Sequence, residues 1–132
     1  MAADELTPEW QRLLPSADLG CGQVLEITWR DDDILLFRNA AGQCRAITAY
    51  CPHMGNYIPN GLAAGLSINA LLVDDELRCP FHGWRFNGAG LCTHIPPGQR
   101  VPTAVRSGRA IARAWPLRER GGYIEIAAAM PD

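Results

Sequence analysis

Short β-prone runs, each cut off by turn residues, constrain this chain most. "VLEITW" (Val24–Trp29) and "DILLFRN" (Asp33–Asn39) flank the turn "RDDD" and read as a hairpin. "AAGQ" (Ala40–Gln43) is a second turn, followed by the strand "CRAITAY" (Cys44–Tyr50). "LLVDDELRC" (Leu71–Cys79) holds two short runs around an acidic turn. "WRFNGAGLC" (Trp84–Cys92) is a hairpin turning at Asn87-Gly88, and "AIARAWPLRERGGYIEI" (Ala110–Ile126) gives two last strands turning at Gly121-Gly122. Runs recurring roughly every 8–12 residues imply an all-β antiparallel sandwich or barrel.

Helix signals are few. Thr7–Leu14 predicts a short helix, with Thr7 as cap, Pro8 in the first turn and Glu9 near the positive end of the dipole. Gly61–Leu72 is ambiguous, because its two glycines weaken a helix. At 132 residues a single domain is expected over 1–132.

Charge and cysteine content narrow the function. A net charge of −2 does not suggest a nucleic-acid binder. No apolar run reaches the length of a membrane span, and "MAADELTPEW" lacks the basic and apolar regions of a signal peptide. A cytoplasmic location is therefore expected. All the basic residues are Arg. Six of them, Arg100, Arg106, Arg109, Arg113, Arg118 and Arg120, crowd the C-terminal third. They are either a docking face for an acidic partner or a set of solvated strand faces. Five cysteines, an odd number without a secretory signal, argue against a disulfide framework.

Two segments pair a cysteine with a histidine: "CPHMG" at Cys51 and "CPFHGW" at Cys79. The candidate ligands are Cys51, His53, Cys79 and His82. Two thiolates and two imidazoles suit tetrahedral zinc or an iron–sulfur cluster. A zinc knuckle usually separates its first two ligands by two to four residues, whereas Cys51-Pro52-His53 leaves one. On an extended loop such residues lie about 6–7 Å apart. That is awkward around one zinc and comfortable across two irons.

"CPHMG" and "CPFHGWRFNGAGLCTHIP" closely resemble the Rieske [2Fe–2S] domain, as found in Rieske non-haem iron oxygenases and Rieske-type ferredoxins. The resemblance runs from about Val24 to Ile126. It implies a Rieske-type fold with a small cluster-binding subdomain, about residues 49–97. By it, Cys51 and Cys79 bind one iron of a [2Fe–2S] cluster, and His53 and His82 bind the other. Exchanging two thiolates for neutral imidazoles makes the cluster less negative and raises its potential. Both imidazoles become the expected route of electron entry and exit.

The neighbours fit a clamp. Pro52 and Pro80 stiffen the loops, while Gly55 and Gly83 permit close backbone approach. Trp84 is either a shield for the cluster or a plain core residue. "IPPGQRVP" (Ile95–Pro102) resembles the third, proline-containing loop that covers the cluster in this family.

The chain also departs from parts of the family. The loop cysteines that form a disulfide in respiratory Rieske proteins are absent, which groups the chain with oxygenases and ferredoxins. The gap between the loops is longer than usual, with Asn60–Asn69 as the extra segment, either inert or a partner surface. Cys44 is expected as a small buried hydrophobe, Cys92 as structural and His94 as a surface histidine. Cys21 has no assigned role.

An oxygenase catalytic domain needs a second iron held by two histidines and a carboxylate. Only His94 remains here, so the chain is not expected to oxygenate alone. The leading expectation is a one-electron carrier between a reductase and an oxygenase. The alternatives are a detached or split Rieske domain of an oxygenase, and a structural zinc-binding interaction module.

Overall fold

A computed structural model of the chain describes residues 9–129. The described strands are β1 (Gln11–Pro15), β2 (Val24–Trp29), β3 (Asp32–Arg38), β4 (Cys44–Thr48), β5 (Leu72–Val73), β6 (Glu76–Arg78), β7 (Arg85–Phe86), β8 (Cys92–His94), β9 (Ala114–Trp115), β10 (Leu117–Arg120) and β11 (Tyr123–Ile126). They form antiparallel sheets ordered β2-β3-β4-β9, β1-β11-β10 and β5-β6-β7-β8. The expected all-β antiparallel class is what the chain adopts.

The middle sheet explains the apolar run in β3. Successive side chains on a strand face opposite ways. Ile34 and Leu36 enter one core with Leu19, Trp29, Ile124 and Ile126. Leu35 and Phe37 enter another with Leu77, Trp84, Phe86, Cys51 and Cys79. β3 is therefore covered on both faces, and alternation of apolar with polar residues would have failed there. The second of these cores carries the loops of interest.

Three hairpins close through two-residue turns. Arg30-Asp31 joins β2 to β3, Asp74-Asp75 joins β5 to β6, and Gly121-Gly122 joins β10 to β11. All six residues have positive φ. This is the primed turn whose twist matches that of the strands it joins.

The N-terminal expectation needs correction. Thr7 and Pro8 lie outside the described residues, but Gln11–Pro15 is a strand rather than the end of a helix. It pairs with β11 from Gln11 opposite Ile126 to Pro15 opposite Tyr123. Leu13 and Leu14 pack on the core containing Ile124. Eight residues make too short a helix to persist alone, so the open sheet edge wins. The ambiguous segment Gly61–Leu72 is not one helix: a 3-10 turn, Ile58–Gly61, leads into it and a second, Ile68–Leu71, lies within it. It is anchored by buried Ile58 and Leu71, and Asn69 Oδ1 accepts the Val24 N–H at 2.8 Å. A four-residue helix, α1 (Thr103–Arg106), follows the proline loop without any signal read from the sequence.

Buried Arg38 ties the layers together. Its guanidinium donates to the carbonyls of Leu19, Gly42 and Ser16 and to both carboxylate oxygens of Glu119.

Candidate metal centre

Two loops with one hydrogen-bond pattern carry the candidate ligands. In the first, the Cys51 N–H donates to the Asn56 carbonyl at 2.8 Å, and the Gly55 N–H donates to the Cys51 carbonyl at 2.7 Å. In the second, the Cys79 N–H donates to the Trp84 carbonyl at 2.7 Å, and the Gly83 N–H donates to the Cys79 carbonyl at 2.8 Å. Each loop thus joins a cysteine to the residues four and five positions on. Each needs a left-handed residue at the fourth, with φ of 75° at Gly55 and 81° at Gly83. The histidine comes two residues after Cys51 but three after Cys79.

The side chains meet in pairs. Cys51 and Cys79 are 2% and 1% exposed, and their thiols are hydrogen-bonded to each other. The Cys51 S–H stabilises a thiolate on Cys79, whose pKa falls to about 6. The same hydrogen bond, followed by burial, holds the Cys51 proton far above the usual thiol range. The pair therefore gives up one proton readily and the second only to something more attractive, such as a metal.

The imidazoles of His53 and His82 approach edge to face, with centroids 4.7 Å apart and planes at 77°. His82 is exposed and His53 half-buried. The indole of Trp84 stacks on His53 at 4.1 Å and 9°. This settles the open reading of Trp84: it is both a core residue and the wall behind one candidate ligand. Burial first, and then the His82 ring, lower the basicity of His53, which favours the neutral form able to bind metal.

The His53 Nδ1 atom is buried without a hydrogen-bond partner. An orphaned buried nitrogen is costly, and coordination to a metal ion would relieve it. Among the described residues, no three His, Cys, Asp or Glu side chains close around a single metal position. One thiol pair and one imidazole pair fit a two-iron cluster better than a single tetrahedral ion.

The proline loop braces this arrangement. A Cβ on Gly83 would lie 2.8 Å from Pro96 Cγ, so ring and backbone are in tight contact. The Gln99 side-chain amide accepts from Trp84 Nε1 at 2.7 Å and donates to the His82 carbonyl at 2.8 Å. Sequence reading reached this loop but not Gln99, because nothing in "PPGQ" marks a glutamine that faces an indole fifteen positions back. A cavity of about 340 Å³ opens beside it, lined by His53, Trp84, Arg100, Pro102 and Thr103.

The other candidates fall elsewhere. Cys44 is buried at the start of β4 in the far core, Cys92 is half-buried on β8, and Cys21 is exposed. His94 is exposed on β8. Two of the six C-terminal arginines are taken up by contacts within the chain. Arg113 lies over Trp115 and contacts Asp32 at 3.4 Å, while Arg118 lies over Trp10 and bonds the fully buried Glu125 at 2.6 Å.

Comparison with known proteins identifies the family. The family model described as the Rieske [2Fe-2S] domain matches residues 9–105. Cholesterol 7-desaturase nvd 1 of Ciona intestinalis is 37% identical over 120 residues, covering 88% of this chain and 23% of the relative. The oxygenase component of 3-ketosteroid-9-alpha-monooxygenase from Rhodococcus rhodochrous is 37% identical over 93 residues, covering 70% of this chain and 20% of the relative. The chain thus spans about a quarter or less of these relatives' length. The crystal structure of apo dicamba monooxygenase aligns with a TM-score of 0.71 at 28% identity, covering 92% of this chain and 34% of that one. A carbazole 1,9a-dioxygenase oxygenase–ferredoxin complex, at 17% identity and a TM-score of 0.73, shares the fold. A family whose cofactor is a [2Fe–2S] cluster also supplies the group that the paired thiols and imidazoles fit, so the zinc alternative falls away. The chain belongs to the Rieske [2Fe-2S] domain family.

Proposed function

We propose that Cys51 and Cys79 hold one iron of a [2Fe–2S] cluster, that His53 and His82 hold the other, and that the chain passes single electrons from a reductase to an oxygenase centre. The observation that carries this reading is the buried, partnerless Nδ1 of His53, whose ring meets that of His82, together with two thiols already in contact. A bound cluster supplies one-electron storage, at a potential raised by its neutral imidazole ligands. The chain's own residues do the rest. Cys51 and Cys79 exclude water on the buried side, Trp84 holds the His53 ring flat, and exposed His82 offers a route to solvent and partner.

The surroundings support an acidic partner. Neither residues 34–73 nor residues 77–118 contain an Asp or Glu. Arg78 and Arg100 flank the loops, with Arg78 Nη2 3.5 Å from where a Gly83 Cβ would lie and Arg100 on the cavity beside His53. Met54 and Phe81 stand exposed at the loop tips, 65% and 40%, and provide an apolar contact. Such a surface favours encounter with a carboxylate-rich face.

Similarity to a desaturase and to the oxygenase component of a monooxygenase favours the second reading, a Rieske unit of an oxygenase, over a free-standing ferredoxin. Both relatives are named for steroid substrates, so a steroid-directed acceptor is the substrate class we infer. Cysteines that are all unpaired fit a cytoplasmic setting. Among the described residues, no helix is long and apolar enough to cross a membrane.

The decisive experiment is electron paramagnetic resonance with potentiometry on the reconstituted protein. A coloured protein with a rhombic signal on reduction is expected. The variants His53→Cys and His82→Cys should each lower the midpoint potential. A colourless, zinc-containing protein, or unchanged potentials, would sink the assignment.

A further inference from the structure

We infer that Gln99 is a positioning residue that locks the two imidazoles to one another from outside the cluster loops. The inference rests on His53 and His82 as ligands and adds a residue to that reading. Each histidine sits on its own loop, and the described contact between their side chains is a ring edge. Gln99 connects them by a second path. Its Oε1 accepts from the indole on which His53 lies flat, and its Nε2 donates to the backbone carbonyl of His82.

The chemistry allows one orientation of this amide. An indole N–H can only donate and a carbonyl can only accept, so a residue between them must accept on one side and donate on the other. A planar side-chain amide does both at once without changing charge, and glutamine has the longer reach of the two residues that carry one. A glutamate would keep the indole bond and set an anion against a carbonyl oxygen. A leucine or methionine would fill the space and satisfy neither group.

The backbone around Gln99 is built to hold it there. Pro96 and Pro97 stiffen the approach, and Pro96 abuts Gly83, which leaves no room for a side chain. Gly98, at φ of 90°, turns the chain back so that Gln99 faces Trp84. Trp84 is 2% exposed, so without Gln99 its N–H faces a half-buried site with poor access to water.

A plain structural role would lower stability and leave the centre's electronic properties alone. A positioning role predicts that both move. The test uses the reconstituted full chain and compares wild type with Gln99→Met, Trp84→Phe and the double variant. Gln99→Met removes both hydrogen bonds at similar volume, and Trp84→Phe keeps a stacking ring without the N–H. Each single variant should change the equilibrium constant of one-electron reduction about threefold, or about 28 mV at 59 mV per tenfold. Each should also broaden the EPR signal of the reduced state. The double variant should match the singles rather than sum them, because both cut the same path. Additive shifts, or variants that lose only thermal stability with potential and line shape unchanged, would overturn the proposal. Failure of the ligand assignment is visible separately. Pulsed EPR on the wild type would then lack the two imidazole nitrogen couplings, whatever the variants do.

Discussion

The twin loops allow a controlled comparison. Gly55 and Gly83 occupy the same place in the same hydrogen-bonded turn, at nearly the same positive φ. Replacing either with alanine forces a side chain into the left-handed region, at a cost of about 1–2 kcal/mol. There the equivalence ends. A Cβ at Gly55 meets nothing within 4 Å, whereas one at Gly83 falls 2.8 Å from Pro96 Cγ. A proline ring cannot swing aside, so the proline loop must shift, and overpacking of this kind costs about 1–3 kcal/mol more. Gly55→Ala should therefore cost about 1–2 kcal/mol and Gly83→Ala about 2–5 kcal/mol in all. At roughly 4 °C per kcal/mol for a domain of this size, the two Tm values should differ by roughly 4–12 °C. Thermal unfolding of the reconstituted proteins checks the gap, and chelator-driven loss of visible absorbance should follow the same order. Equal losses would refute the idea that the proline loop bears on the second cluster loop.

Other expectations follow from the same contacts. Cys51→Ala and Cys79→Ala should purify colourless, while Cys44→Ala and Cys92→Ala keep the chromophore, as read by visible absorbance and iron content. Arg38→Met should cost about 3–4 kcal/mol in urea unfolding, from three carbonyls losing a donor at about 1 kcal/mol each and an ion pair adding at most about 1 kcal/mol. A loss below about 1 kcal/mol would mean that water replaces the guanidinium. The Arg38 hydrogen bond, above all, holds the Glu119 carboxyl below the ordinary carboxylate range, against the opposing effect of burial. The stability Glu119 contributes is thus present above its unfolded value near pH 4.3 and lost as pH falls through the lower folded value. Wild type should lose more stability than Glu119→Gln between about pH 5 and pH 3, and parallel unfolding curves would contradict this. Added salt should slow reduction by an anionic reductant such as dithionite, and Arg78→Ala with Arg100→Ala should flatten that dependence.

The local sequence determined what short-range chemistry can determine. Short β-prone runs bounded by turn residues marked β2, β3, β4 and the last hairpin, because strand propensity and turn chemistry act over a few residues. The paired Cys-Pro-His and Cys-Pro-x-His segments marked the candidate centre, because ligand chemistry restricts which residue types can serve. Tertiary structure decided what depends on distant partners. Gln11–Pro15 is a strand because β11 offers an edge, although its own residues suggest a helix. Arg113 and Arg118 are spent on internal contacts, which no charge count could show. The stack of Trp84 on His53, and the Gln99 amide that joins it to His82, bring together residues up to 46 positions apart. Only the folded chain puts an acceptor opposite that indole N–H and a donor opposite that carbonyl, because each residue alone would be equally satisfied by water.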